Sequence, residues 1–319
     1  MFLDLTATKQ INGMKNKTKM TRSKKKELMQ AMLFILPQIV GFLVFSLYPI
    51  IWVTRYAWYN YDGVIEKFTG FNNIINVFTN DINYWYSVIN TLILGFGKLA
   101  IELPLALALA IILNSNIKGR SFFRTVFFMP NIISVAIMGV IYYFMFATFE
   151  GIVNNMLIAS NVMKLPINWF GEKWTAMAVL AIASIWQNFG INMLFFLAGL
   201  MNIPKELYEC AEIDGADKFT QFKKITIPML APIMQVIVMM GIIGSIKTTD
   251  LVLVLTNGQP AGGTEVVMTY IFKKFFSYGD MNTIPQIGYS CALGLVTSII
   301  LGLITIVYLR QTKKYNTID

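Results

Sequence analysis

Histidine is absent from the 319-residue chain, and only two cysteines occur, Cys210 and Cys291. The first absence excludes Ser-His-Asp and Cys-His catalytic groups, an HExxH metal site and a histidine proton relay. The second excludes a disulfide framework, and without a CxxC pair no zinc site is indicated. A Gly-x-x-x-x-Gly-Lys-Ser/Thr phosphate loop is also missing, since the one Gly-Lys pair, Gly97-Lys98, precedes Leu99. Charge is scarce. Charged residues make up 13% and hydrophobic ones 56%, against roughly 25% and about 45–50% in soluble domains. Mean hydropathy is +0.59. Such a chain cannot wet the surface of a soluble domain, which excludes a disordered protein, a disulfide scaffold and an ordinary cytosolic enzyme.

What the sequence does hold is long apolar runs. Crossing about 30 Å of hydrocarbon takes about 20 predominantly apolar residues. The stretches 28–54, 125–149, 174–204, 225–246 and 281–309 contain no Asp, Glu, Lys or Arg, and 87–113 contains only Lys98 and Glu102. These predict an all-α integral membrane protein of six helices, at about 30–53, 87–113, 125–147, 176–201, 229–249 and 286–309. The runs do not alternate apolar and polar residues as porin strands do. The first run is too long for the core of a cleaved signal peptide and reads as a retained span.

The net charge of +9 then becomes topology information. The tail before Leu28 and the connections after the second, fourth and sixth spans hold 18 Lys and Arg, and the alternate loops hold 7. Both termini are therefore expected in the cytoplasm. Residues 54–86, 148–175 and 250–285 would face outward, with Trp58, Trp85, Trp169 and Trp174 as interfacial anchors. This divides the chain into a basic tail (1–28), a transmembrane domain (29–309) and a short C-terminal tail (310–319). Beside six spans, the basic tail does not read as a nucleic-acid arm.

Between spans four and five, residues 204–228 carry nine charged residues in a chain otherwise poor in them. Pro204 suits a helix start, and acidic residues after it favour the positive dipole end. Leu207, Cys210 and Ala211 recur at i, i+3, i+4, giving one apolar face. Gly215 allows a sharp bend, and Phe219, Phe222 and Ile225 predict a second short helix before Pro228 opens span five. Read from these residues alone, the segment is a helix-turn-helix that is either a docking element or a solvated surface helix.

Glu209-Cys210-Ala211, three residues, Gly215, nine residues, Ile225, one residue, then Ile227-Pro228 resembles the EAA loop of ABC importer permeases, with Cys210 replacing an alanine and Ile227 a leucine. The surrounding words Asn202-Ile-Pro-Lys-Glu-Leu-Tyr-Glu209 and Glu212-Ile-Asp-Gly-Ala216 are similar to the carbohydrate-uptake branch, which includes maltose and glycerol-phosphate permeases. Asp250 to Pro260, followed by Gly263-Thr-Glu265 and Thr269-Tyr-Ile271, resembles the segment before the last helix of one of the two paired sugar-permease subunits. The likeness runs from about Leu33 to Tyr308.

That resemblance implies a type I ABC importer permease fold in a bacterial cell membrane. It implies partners: a second related permease, an ABC ATPase dimer, an external solute-binding protein and a carbohydrate substrate. ATP and Mg would bind the ATPase, with no catalytic residue, metal or cofactor in this chain. Glu209, Cys210, Ala211 and Gly215 would dock on the ATPase, with Ile225, Ile227 and Pro228 fixing the second helix. Two other readings stay open: a stand-alone ion-coupled carrier, and a permease for glycerol-phosphate or another non-sugar solute.

Polar groups inside hydrocarbon are costly and face a neighbour or a watery route. Ser184, Gln187, Asn188 and Asn192 form one stripe on span four, beside Trp186. Amides and aromatic faces suit sugars, so the stripe is the candidate substrate path; interhelical hydrogen bonding is the alternative. Lys98 and Glu102, one turn apart, are expected to form a structural ion pair or to line the path. Ser290, Gly294, Ser298 and Gly302 at i+4 spacing predict close helix packing, within this subunit or against its partner.

Overall fold

The computed structural model describes residues 22–246, 248–279 and 284–315. The basic tail therefore lies outside the described residues as far as residue 21, as do Lys247, residues 280–283 and the last four positions. The chain divides into two units, Met1–Arg55 and Tyr56–Asp319. In the first, α1 (Arg22–Phe42) passes through a π-turn (Leu43–Leu47) into α2 (Tyr48–Thr54). Together with a closing 3-10 turn it supplies the first membrane-capable helix, Met29–Trp58.

The second unit begins with a short hairpin, β1 (Tyr59–Tyr61) antiparallel to β2 (Glu66–Phe68), with Asn60 opposite Lys67. A short helix α3 (Asn72–Thr79) follows. Next comes α4 (Ile82–Asn114), which starts where the Asp81 carboxylate accepts the Tyr84 N–H at 3.0 Å. The third expected span is not one helix. It breaks into α5 (Arg120–Ile132) and α6 (Val135–Met145), bent by 94°. Ile133 and Ser134 take extended backbone at the break, just after Pro130, which has no N–H for the helical ladder. The carbonyl of Ile133 is instead capped by Gln187 Nε2 at 3.2 Å. A periodicity argument sees only that residues 125–149 are apolar, so it joins the two halves.

After a small helix α7 (Ile152–Ala159), α8 (Lys173–Met201) forms the fourth span. It runs parallel to α4: Lys98 meets Ser184, and Glu102 meets Asn192 further along both helices. Then α9 (Lys205–Ile213) and α10 (Lys218–Gln221) make the helix-turn-helix. A π-turn (Phe222–Thr226) joins α10 to α11 (Ile227–Ile246), so Lys218–Ile246 is one continuous helix. The second docking helix and the fifth span, expected as separate elements divided at Pro228, are one rod. Both π-turns end just before a proline. Tyr48 N–H reaches Leu43 O ahead of Pro49, and Ile227 N–H reaches Phe222 O ahead of Pro228. The widened turn lets a residue without an N–H continue the helix.

Two short helices, α12 (Thr249–Leu255) and α13 (Val267–Phe276), precede the last span in α14 (Ile287–Tyr315). Their connection, Asn257-Gly-Gln-Pro260, is tied down by Thr264, whose hydroxyl donates to the Gln259 carbonyl at 2.7 Å. Among the described residues five helices are long and apolar enough to cross a membrane, and the bent pair brings the number to six when it is counted as one broken span. Of the two packings open to the small residues of α14, the one within the chain is largely absent among the described residues. Ser290 is buried, but Gly294 and Gly302 have open space, and the packing runs through Ala292, Leu293 and Val296.

Apart from the two clusters that hold α14, apolar packing forms an upper and a lower core around α4 and α8. The upper one joins Leu94, Met138, Tyr142, Leu180, Ala183, Leu251 and Val252. In the lower one Ala106, Ala110 and Leu113 pack on Phe196, Leu200, Ile203, Leu230 and Ile237. Between the cores lies a layer of polar side chains.

Candidate functional site: a polar cleft and a helix-turn-helix

That layer opens into a cleft of about 500 Å³ lined by Lys98, Val135, Ser184, Gln187, Asn188, Gly244, Thr248, Asp250 and Leu251. The hydroxyl of Ser184 accepts from Lys98 Nζ at 3.1 Å, and Asn188 Nδ2 donates to the Ser184 carbonyl at 2.8 Å. Asn192 and Glu102 do not line the cleft. They lie about one turn beyond it, where Asn192 Nδ2 donates to Glu102 Oε1. Lys98 and Glu102 are both buried, yet they form no ion pair within 4 Å; the ion pair among the described residues is Lys273–Glu265 at 2.7 Å. Each charge is held instead by a neutral partner on α8. Four of the six residues expected on the path thus meet at one cleft, and the other two form a hydrogen-bonded contact between α4 and α8.

The expected path did not include Val135, Gly244, Thr248, Asp250 or Leu251. They reach the cleft because the chain breaks before Val135 and turns again between α11 and α12. Asp250, an acidic residue at the end of an apolar run, is the one signal that could have found this edge. The cleft floor depends on Gln187, which serves the broken backbone at Ile133 and lines the cavity at once. It also depends on Gly190, where an added Cβ would lie 2.0 Å from the Phe127 carbonyl oxygen. Only glycine lets α5 cross α8 so closely.

The helix-turn-helix lies past the lower core. Ala216 N–H closes on the Ala211 carbonyl at 2.8 Å and Gly215 N–H on Glu212 at 3.0 Å, with Gly215 at φ +78°. This is the left-handed C-terminal turn that glycine favours. Asp217 caps the next helix by accepting the Thr220 N–H at 3.2 Å. The hydroxyl and N–H of Thr220 hold the Asp217 carboxyl below the usual range, so the cap stays ionised at neutral pH. Gln221 Nε2 donates to the Ala216 carbonyl at 3.2 Å, and Tyr208 and Thr226 hydroxyls share a 2.9 Å bond between the two arms. Tyr208 and Ile225 pack on the lower core.

The outer surface of this element is exposed among the described residues. Glu209, Cys210 and Gly215 are exposed, and so are Leu207 at 41%, Phe219 at 70% and Ile213 at 86%. The apolar face expected from Leu207, Cys210 and Ala211 exists, but Tyr208 is the residue that turns inward. Of the residues expected to fix the second helix, Ile225 and Ile227 are partly buried and Pro228 is exposed at the start of α11.

Residues 102–315 match the family model for the binding-protein-dependent transport system inner membrane component. This chain belongs to that family. The transport component is 33% identical over 300 residues to the probable ABC transporter permease protein YesP of Bacillus subtilis, covering 93% of this chain and 94% of that one. It is also 33% identical to the arabinooligosaccharides transport system permease protein AraP of the same organism, with coverages of 89% and 88%. Among solved structures it superimposes with TM-score 0.76 on a chain of a bacterial alginate ABC transporter in complex with an alginate pentasaccharide-bound periplasmic protein. The identity there is 23%, covering 92% of this chain and 96% of that one. The fold is thus that of an ABC importer permease, and the transport component is a multi-pass membrane protein. Members of the family are transport subunits, not enzymes.

Proposed function

We propose that this chain moves a carbohydrate across a bacterial cell membrane and is driven by a separate ATPase that docks on the 204–228 segment. One observation carries the reading. A rigid helix-turn-helix with an exposed apolar face continues without interruption into α11, whose far end borders a cleft lined by amides and hydroxyls. Motion of a protein seated on α9 is thereby delivered to the wall of the cleft. The cleft chemistry suits hydroxyl-rich cargo, because amides both donate and accept hydrogen bonds. The sugar-named relatives point the same way.

ATP and Mg belong to the partner, and a solute-binding protein meets the opposite face, as the alginate neighbour's periplasmic protein supports. A second, related permease completes the pathway and covers the small-residue stripe of α14. The distribution of Lys and Arg puts the helix-turn-helix and both termini in the cytoplasm. A stand-alone ion-coupled carrier is disfavoured because titratable side chains at the cleft are confined to Lys98 and Asp250, with Glu102 beyond them.

The test is transport by the assembled complex in proteoliposomes. Uptake of a radiolabelled oligosaccharide should require enclosed ATP and the binding protein, and should survive collapse of ion gradients. Uptake driven by an ion gradient without ATP would refute the proposal.

A further inference from the structure

At the end of α4 opposite the helix-turn-helix lies a second, larger cleft, lined by none of the residues of the central one. Its wall is mostly carboxamide: Asn60, Asn72, Asn73, Asn76, Asn80 and Asn83 all line it. Four of these fall within or immediately after the eight-residue helix α3. Asparagine is a poor helix former, so a helix with asparagines on one side and exposed Phe71, Ile75 and Phe78 alongside is unusual in composition.

Three of the amides are structural. Asn73 Nδ2 donates to the carbonyls of Ala57 and Tyr59 at 3.1 and 2.8 Å, and Asn80 Nδ2 donates to Asn76 Oδ1 at 3.0 Å. The side chains of Asn60, Asn72 and Asn83 make no hydrogen bond among the described residues. They leave three donor–acceptor amides free on a fixed scaffold. Two aromatic rings complete it. Tyr270 and Tyr289 donate to the two oxygens of Asp81, at 2.8 and 2.6 Å, and so are locked side by side. Burial, and then the neighbouring Asp81, holds the Tyr270 phenol above its usual range, so it remains a donor.

The charge at this cleft is spent. Asp81 is consumed by the two tyrosines and the Tyr84 N–H, and Lys274 sits over the Tyr270 ring at 5.6 Å. One negative and one positive side chain remain, with no excess of either sign. Free amides, rigid aromatic surfaces and a neutral field fit an uncharged ligand rich in hydroxyls.

We infer that this cleft is a second binding station, for an uncharged oligosaccharide segment, at the mouth of the pathway opposite the docking element. The inference rests on the carbohydrate reading above and deepens it. From Asn83 to Lys98, α4 rises roughly 22 Å at about 1.5 Å per residue, so the two stations are separate. The upper core residue Leu94 lies between them.

The experiment uses the full chain, purified with its partner permease and without binding protein. Saturation-transfer NMR is recorded with maltotriose and with arabinotriose. In an Asn188→Leu background, which disables the central cleft, at least one trisaccharide should still bind. Adding Asn72→Leu and Asn83→Leu should weaken that binding at least five-fold. The melting temperature should not move, because neither amide is bonded among the described residues. Binding unaffected by the two substitutions overturns the inference. With the binding protein then added to the same complexes, a loss confined to affinity for that protein also overturns it, because the cleft would be a protein-docking surface. ATP-driven saccharide uptake with no binding to the isolated permeases overturns this inference alone. Failure of the wild-type complex to transport any saccharide overturns the carbohydrate reading instead.

Discussion

Gly215 separates two reasons for a glycine in the docking turn. Its φ of +78° means that any side chain there strains the backbone, yet an added Cβ meets nothing within 4 Å. For an ordinary L-residue the left-handed conformation costs roughly 1–2 kcal/mol. At about 1.4 kcal/mol per decade, that is roughly a 5- to 30-fold loss of the native turn. Asparagine and aspartate visit this region far more readily. If the glycine served the turn alone, uptake would fall in the order Gly, Asn, Ala. If a partner approaches the open space above Gly215, size dominates, and the order becomes Gly, Ala, Asn. The account predicts the second order, with Gly215→Asp abolishing uptake and uncoupling ATP hydrolysis while membrane insertion stays intact. Uptake and ATPase rates in proteoliposomes read this directly. Near wild-type transport by Gly215→Asn, with Gly215→Ala impaired, would refute the docking role.

Other substitutions test the polar layer and the helix crossing. Asn192→Leu should leave a buried Glu102 oxygen without its donor and cost about 1.5–3 kcal/mol, read as lowered thermal stability; Glu102→Leu with Asn192→Leu should recover part of it. Gln187→Leu removes the cap on the Ile133 carbonyl and should cost about 1–3 kcal/mol while also slowing uptake, whereas Gln187→Leu at full stability would deny the cap its role. Lys98→Met with Glu102→Leu should lower the uptake rate, and transport at the wild-type rate would remove both charges from the pathway. Gly190→Val should prevent α5 from crossing α8, giving little monodisperse protein in detergent chromatography.

Much of this architecture was legible in the residues. Runs free of charge marked the spans, because hydrocarbon tolerates little else. The spacing from Glu209 to Pro228 marked the helix-turn-helix, because a rigid turn needs glycine at one place. What periodicity could not reveal was backbone continuity. Residues 125–147 are apolar throughout, so the 94° break at Ile133 and Ser134 left no trace beyond Pro130. Pro228 read as a boundary because the compensating π-turn depends on hydrogen bonds five residues apart. The partners of Lys98 and Glu102 were hidden for a related reason: i+4 spacing suggests each other, whereas the register against α8 supplies Ser184 and Asn192. The amide-lined cleft needed three separated segments to meet, and no single window contains it.

The central claim, that α9 seats a separate ATPase, has a natural reporter. Cys210 is exposed on that helix, and the chain's other cysteine, Cys291, is buried. A benzophenone maleimide attached to Cys210 in the assembled transporter can be photolysed and its adducts identified by mass spectrometry. The account predicts cross-linking to the ATPase subunit. Saccharide uptake that runs on ATP while the Cys210 label reaches no ATPase would contradict it.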